Sequence, residues 1–119
     1  MNSRALDVRV VASAELTPAT RAHVHALCNA AYDEDTAPFF ADVGAGTHVL
    51  GVVDGVLVAH AMWVTRALET SNGLALTAAY VELVATHPTQ QRRGHASELL
   101  RRLVDELPLF DLAALSPSD

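Results

Sequence analysis

Asp54-Gly55 stands between two apolar, β-rich runs, 47–53 and 56–66, and fixes the path of the chain's middle. A two-residue primed turn needs positive φ at both central positions, which glycine adopts freely and aspartate tolerates, so the segment predicts a β-hairpin. Ser71-Asn72-Gly73 makes a second turn and leads into the apolar run 74–86, giving an antiparallel meander of three strands that Pro88 closes. Upstream, the valine-rich stretch 7–13 reads as a strand. Thr17 and Pro18 then supply an N-cap and a first-position proline for a helix over 18–32, where Val24, Leu27, Cys28 and Ala31 recur at helical spacing. Asp33-Glu34-Asp35-Thr36 reads as an acidic loop, followed by Pro38-Phe39-Phe40 and a plain turn at Gly44-Ala45-Gly46. Downstream, Leu99, Leu100, Leu103, Val104 and Leu107 make one apolar helical face over 95–106, and Pro108 precedes a final strand at 109–115. The order strand, helix, three antiparallel strands, helix, strand is that of a mixed α/β sheet. Its last helix joins two strands that can lie parallel.

At 119 residues the chain has room for one domain and one core, so 1–119 is read as a single domain. It is 50% hydrophobic and 18% charged, too apolar for a disordered tail. The longest apolar run, 56–64, is about half a membrane span and contains His60. Arg4, Asp7 and Arg9 interrupt any secretory signal, so a soluble cytoplasmic protein is expected. A lone cysteine, Cys28, excludes an internal disulfide and falls on the apolar helix face as core. His23 and His25 point to different helix faces, and no His/Cys/carboxylate set has ligand spacing, so no metal is expected. His60 reads as a half-buried polar residue in its strand. The net charge of −6 argues against a nucleic-acid partner. Its distribution is uneven: residues 1–90 hold nine acids and four arginines, while residues 91–107 hold three acids and four arginines. The acidic part favours a cationic ligand and the arginine island favours phosphate.

The island carries the chemistry. Tyr80-Val81-Glu82-Leu83-Val84-Ala85-Thr86 runs as a strand into a loop, Gln91-Arg92-Arg93-Gly94-His95-Ala96, that opens the second helix. Unpaired amides and the dipole of a helix N-terminus favour an anion there. Gly94 and the small Ala96 let backbone approach a ligand, and Arg92 and Arg93 add positive charge.

Gln91-x-x-Gly94-x-Ala96, between a strand and an amphipathic helix, resembles the coenzyme A signature of the GNAT superfamily of N-acetyltransferases. His60-Ala61, Tyr80-Val81-Glu82, Val84-Ala85, Ala114-Leu115-Ser116 and the acidic loop ending at Asp35 resemble its aminoglycoside 2′-N-acetyltransferase branch. The resemblance implies a GNAT-like fold with acetyl-CoA as co-substrate and a primary amine as acceptor. It implies pantetheine binding along Val84, Ala85 and Thr86, with the N–H near Val84 on the thioester carbonyl. Pyrophosphate would lie on the amides of Arg92, Arg93, Gly94, His95 and Ala96, with Gln91 opening the motif. Glu82 is the expected base, acting through water, and Asp35 and Ser116 are expected substrate contacts. The family continues past the strand with a helix bearing a proton-donating tyrosine and a last β-hairpin, which this sequence lacks. A C-terminally truncated domain is therefore expected, with an exposed sheet edge open to self-association. Tyr32 and Tyr80 do not match that tyrosine's position. Two rival readings are an acyl-CoA-binding fragment that is inactive or partner-dependent, and an interaction module built on the meander.

Overall fold

The computed structural model describes residues 5–107 and the strand at 112–115. Its strands are β1 (Asp7–Ala12), β2 (Thr47–Val53), β3 (Val56–Glu69), β4 (Ala75–Thr86) and β5 (Leu112–Leu115), and its helices α1 (Pro18–Tyr32), α2 (Ala37–Val43) and α3 (His95–Glu106). One open sheet runs in the order β1-β2-β3-β4-β5. The first four strands pair antiparallel, and β5, reached through α3, lies parallel to β4. This is the mixed α/β fold that the order of elements predicts.

Local chemistry sets the boundaries. Thr17 Oγ1 accepts from the Thr20 amide at 3.1 Å and Pro18 opens α1. Asp54 and Gly55 take φ of 52° and 79°, both positive as a primed hairpin turn requires. Strand alternation then sends side chains to two layers. Val49, Ala59, Ala61, Trp63 and Val81 pack with Leu99 and Leu103 of α3. Leu50 and Ala85 pack with Val24 and Cys28 of α1, and Met62, Val64 and Leu83 lie against Phe40 and Val43 of α2. Leu99 and Leu103 are each 1% exposed, and burying a leucine of this kind is worth roughly 2 kcal/mol.

Two bulges break the ladder. Between β2 and β3 the register shifts after Gly51↔Ala59, leaving Val58 as the extra residue. Between β3 and β4, His60 opposes Ala85 and Met62 opposes Glu82, so Leu83 and Val84 together face Ala61.

The structure departs from the sequence reading at α2, at Gly46 and at two strand ends. Residues 37–43 form a helix, α2, to which the sequence reading assigned no element, begun by the Asp35 carboxylate, whose Oδ1 accepts from the Ala37 amide at 3.0 Å. Gly46 is no plain turn residue: a Cβ there would collide with the Trp63 carbonyl, so its glycine allows a close backbone approach. The strand after the hairpin extends to Glu69, and the first ends at Ala12, where a short 3-10 turn takes over. The last strand is seen at Leu112–Leu115; the earlier part of the expected 109–115 run lies outside the described residues.

Candidate functional site

Three elements converge where β4 passes its bulge. β5 pairs with β4 over 78–81 only, so among the described residues the stretch 84–86 has a strand on one side. The end of α1 brings Ala31 and Tyr32 to this free edge, and the loop into α3 brings Gln90, Gln91, Arg92 and Gly94. With Val84, Ala85, Thr86 and the first turn of α3 they line a cleft of ≈ 390 Å³.

The floor of the cleft is bulged backbone. Leu83 has φ of 52°, and the left-handed region costs a non-glycine residue roughly 1 kcal/mol. Two side chains hold the distortion: His60 Nδ1 lies 2.8 Å from the Leu83 carbonyl oxygen, and the Tyr32 hydroxyl donates to the Val84 carbonyl at 2.7 Å. The far end of the cleft is the start of α3. Gly94 caps it with φ of 79° and no side-chain hydrogen bond, so no side-chain cap takes the first-turn amides, which favour an anion together with the dipole. The glycine is needed for its dihedral rather than for space, since a Cβ would meet nothing within 4 Å. Arg92, exposed and with φ of 67°, sets a positive charge beside this end. His95 Nε2 approaches Gln90 Oε1 at 3.4 Å.

Val84, Ala85, Thr86, Gln91, Arg92, Gly94, His95 and Ala96 therefore share one cleft. Arg93 is exposed beside them and does not line it. Glu82 is half-buried on β4, opposite Met62, just before the bulge and outside the lining. Asp35 is exposed, engaged with α2 and away from the cleft. Ser116 lies outside the described residues.

Sequence reasoning missed Tyr32 as part of this site, because only the fold brings the end of α1 to the β4 edge. It also misjudged His60, which is fully buried rather than half-buried. His60 Nε2 is 2.9 Å from His48 Nδ1, and His48 Nε2 is 2.7 Å from Ser13 Oγ. Burial, with the nearby Arg21 and His25, pushes the His48 pKa down to about 4. Burial and the neighbouring His48 push that of His60 down to about 3, against the Leu83 hydrogen bond, so both rings are neutral at pH 7. Cys28 is core: burial raises its thiol pKa to about 12.

The acetyltransferase (GNAT) domain family matches residues 7–119. No curated protein matches the chain significantly. Among solved structures, Eis1 from Mycobacterium abscessus is 24% identical and superposes on 85% of this chain and 25% of its own, with a TM-score of 0.67. A probable N-acyltransferase from Enterococcus faecalis is 17% identical over 95% of this chain and 30% of its own, with a TM-score of 0.73. The aminoglycoside N-acetyltransferase AAC(6')-Iy, solved with CoA, is 15% identical over 98% of this chain and 80% of its own, with a TM-score of 0.66. The chain thus spans 25% and 30% of the length of the first two. At these identities the likeness is one of fold. The family match runs along nearly the whole sequence, and the sheet and helices superpose on acetyltransferases. The chain belongs to the GNAT acetyltransferase domain family.

Proposed function

We propose that this domain binds acetyl-CoA and transfers its acetyl group to a primary amine. The observation that carries the reading is the single cleft joining a bulged, half-free strand edge to a helix N-terminus with no side-chain cap. The two ends suit the two parts of the ligand. Amides of Arg92, Arg93, Gly94, His95 and Ala96 would take the pyrophosphate, with Gln91 and the Arg92 charge beside them. The edge at Val84, Ala85 and Thr86 would take the amides of the pantetheine arm, and the Val84 N–H would polarise the thioester carbonyl.

Both reactants must be held together, because the neutral amine attacks the thioester carbon directly. The new C–N bond forms as the C–S bond breaks; the sulfur leaves as thiolate and takes a proton, and the nitrogen gives one up. Glu82, close to the bulge in sequence, would receive the amine's proton through a water. Asp35 and Ser116 would contact the acceptor, and the acceptor we favour is the 2′-amine of an aminoglycoside. Two facts support a polycationic amine: the nine acids against four arginines in residues 1–90, and the aminoglycoside named for one of the fold neighbours.

Calorimetry with CoA tests the cofactor half of the reading. Gly94→Asp puts a carboxylate at the anion site and a side chain at positive φ, so affinity should fall by at least about tenfold. Equal affinity in that variant, or a folded wild type that takes up no CoA, would show that the cleft is not an acyl-CoA site.

A further inference from the structure

A hydrogen-bonded chain crosses the buried face of the sheet and ends on the bulge. Its direction follows from the end that cannot donate. The Leu83 carbonyl only accepts, so His60 Nδ1 carries the proton at 2.8 Å, and the Cys28 sulfur 3.8 Å away is at most a weak second acceptor. A neutral His60 therefore has a bare Nε2, which accepts from His48 Nδ1–H at 2.9 Å. His48 Nε2 is then bare in turn and accepts from the Ser13 hydroxyl at 2.7 Å, while Ser13 Oγ accepts from the Gly46 amide at 2.9 Å. Every link is fixed by the next, and Ser13 and Gly46, at the start of the chain, line a separate cleft together with Trp63 and Val64 of β3.

The last link matters because of the peptide unit it touches. The Leu83 carbonyl and the Val84 N–H belong to one peptide, and no peptide in the described chain is cis. In a trans peptide these two groups point in opposite directions, so clamping the carbonyl aims the N–H. Donation to the carbonyl also polarises the unit and makes its N–H a better donor. We infer that His60, set in its tautomer by His48 and Ser13, is a positioning residue that aims the Val84 N–H into the acyl site. The inference rests on the proposed acetyl-CoA reading, in which that N–H meets the thioester carbonyl.

Two substitutions separate positioning from mere packing. His60→Leu fills the space without a donor, whereas His60→Asn places an amide N–H close to where Nδ1 sits. Acetyl-CoA affinity should drop by about tenfold in the leucine variant, and the asparagine variant should recover most of it. A cooperatively melting leucine variant that binds as wild type, or an asparagine variant that loses as much, overturns the inference. If the leucine variant does not fold, the wild-type protein decides through the imidazole nitrogen resonances. His60 and His48 should both be protonated at Nδ1 and bare at Nε2, and the His60 Nδ1–H signal should move when acetyl-CoA is added. A His60 protonated at Nε2, or an Nδ1–H signal unmoved at saturation, overturns it. No heat with acetyl-CoA in the wild type overturns the function reading as well, which distinguishes the two failures.

Discussion

His48 and His60 show what two buried titratable rings do to stability. Their folded pKa values, about 4 and about 3, lie below the 6.5 of an exposed histidine, so the unfolded chain takes up protons first as pH falls. Their contribution is complete above pH 6.5 and is lost as pH falls from there towards 3. Between pH 6.5 and 5 each ring gives up roughly 2 kcal/mol, in a range where ordinary carboxylates remain mostly ionised. Urea midpoints should therefore fall steeply between pH 7 and 5; a flat profile would mean that the pair is charged, or solvated, in the folded state. Neither ring's burial was legible in the sequence. Counting outward from Asp54-Gly55 in strict register pairs His60 with Val49 and sends His48 to the other face. The extra residue at Val58 shifts the register by one, so His60 opposes Leu50 and comes alongside His48. Nothing in a run of valines announces such a shift.

At the scale of elements, α3 sits on the sheet because one position is left empty for it. A Cβ at Gly51 would stand 2.9 Å from Leu99 Cδ1 and 3.1 Å from Leu6 Cδ1. Gly51→Val should cost about 1–3 kcal/mol by overpacking and displace the start of α3, so thermal denaturation and CoA calorimetry should worsen together. A variant as stable as the parent would mean that the helix can ride outward freely. Elements carrying strong local signals were readable: the start of α1 follows from Thr17 and Pro18, and the span of α3 from its leucine face. The seven residues of α2 were not, because Pro38-Phe39-Phe40 has no full period to display and its start is set by Asp35. The bulge at Leu83 was equally silent, since leucine carries no preference for positive φ and is held there by tertiary contacts.

Along the whole sequence the charge is unevenly divided. Residues 1–90 carry an excess of five negative charges, and residues 91–107 an excess of one positive. If a polycationic amine is the acceptor, its affinity should fall as salt rises from about 0.05 to 0.5 M, which shortens the screening length roughly threefold. A neutral amine should be indifferent, and a salt-independent aminoglycoside titration would rule out steering by this field. The outline of the cleft was also readable at this scale, since the motif from Gln91 to Ala96 lies where a strand hands over to a helix. Tyr32 was hidden because its place in the cleft depends on how α1 crosses the sheet.

Strand edges left unpaired are where proteins most readily stick to one another. Among the described residues the stretch 84–86 is such an edge, yet it begins at a kink and runs for only three residues before His87 and Pro88. Another chain pairs most readily along a long, flat edge. A thin molecular arm needs only two or three hydrogen bonds. If the edge takes the pantetheine arm as proposed, the kink at Leu83 would act as a sieve by shape, leaving room for a small ligand while denying it to another chain.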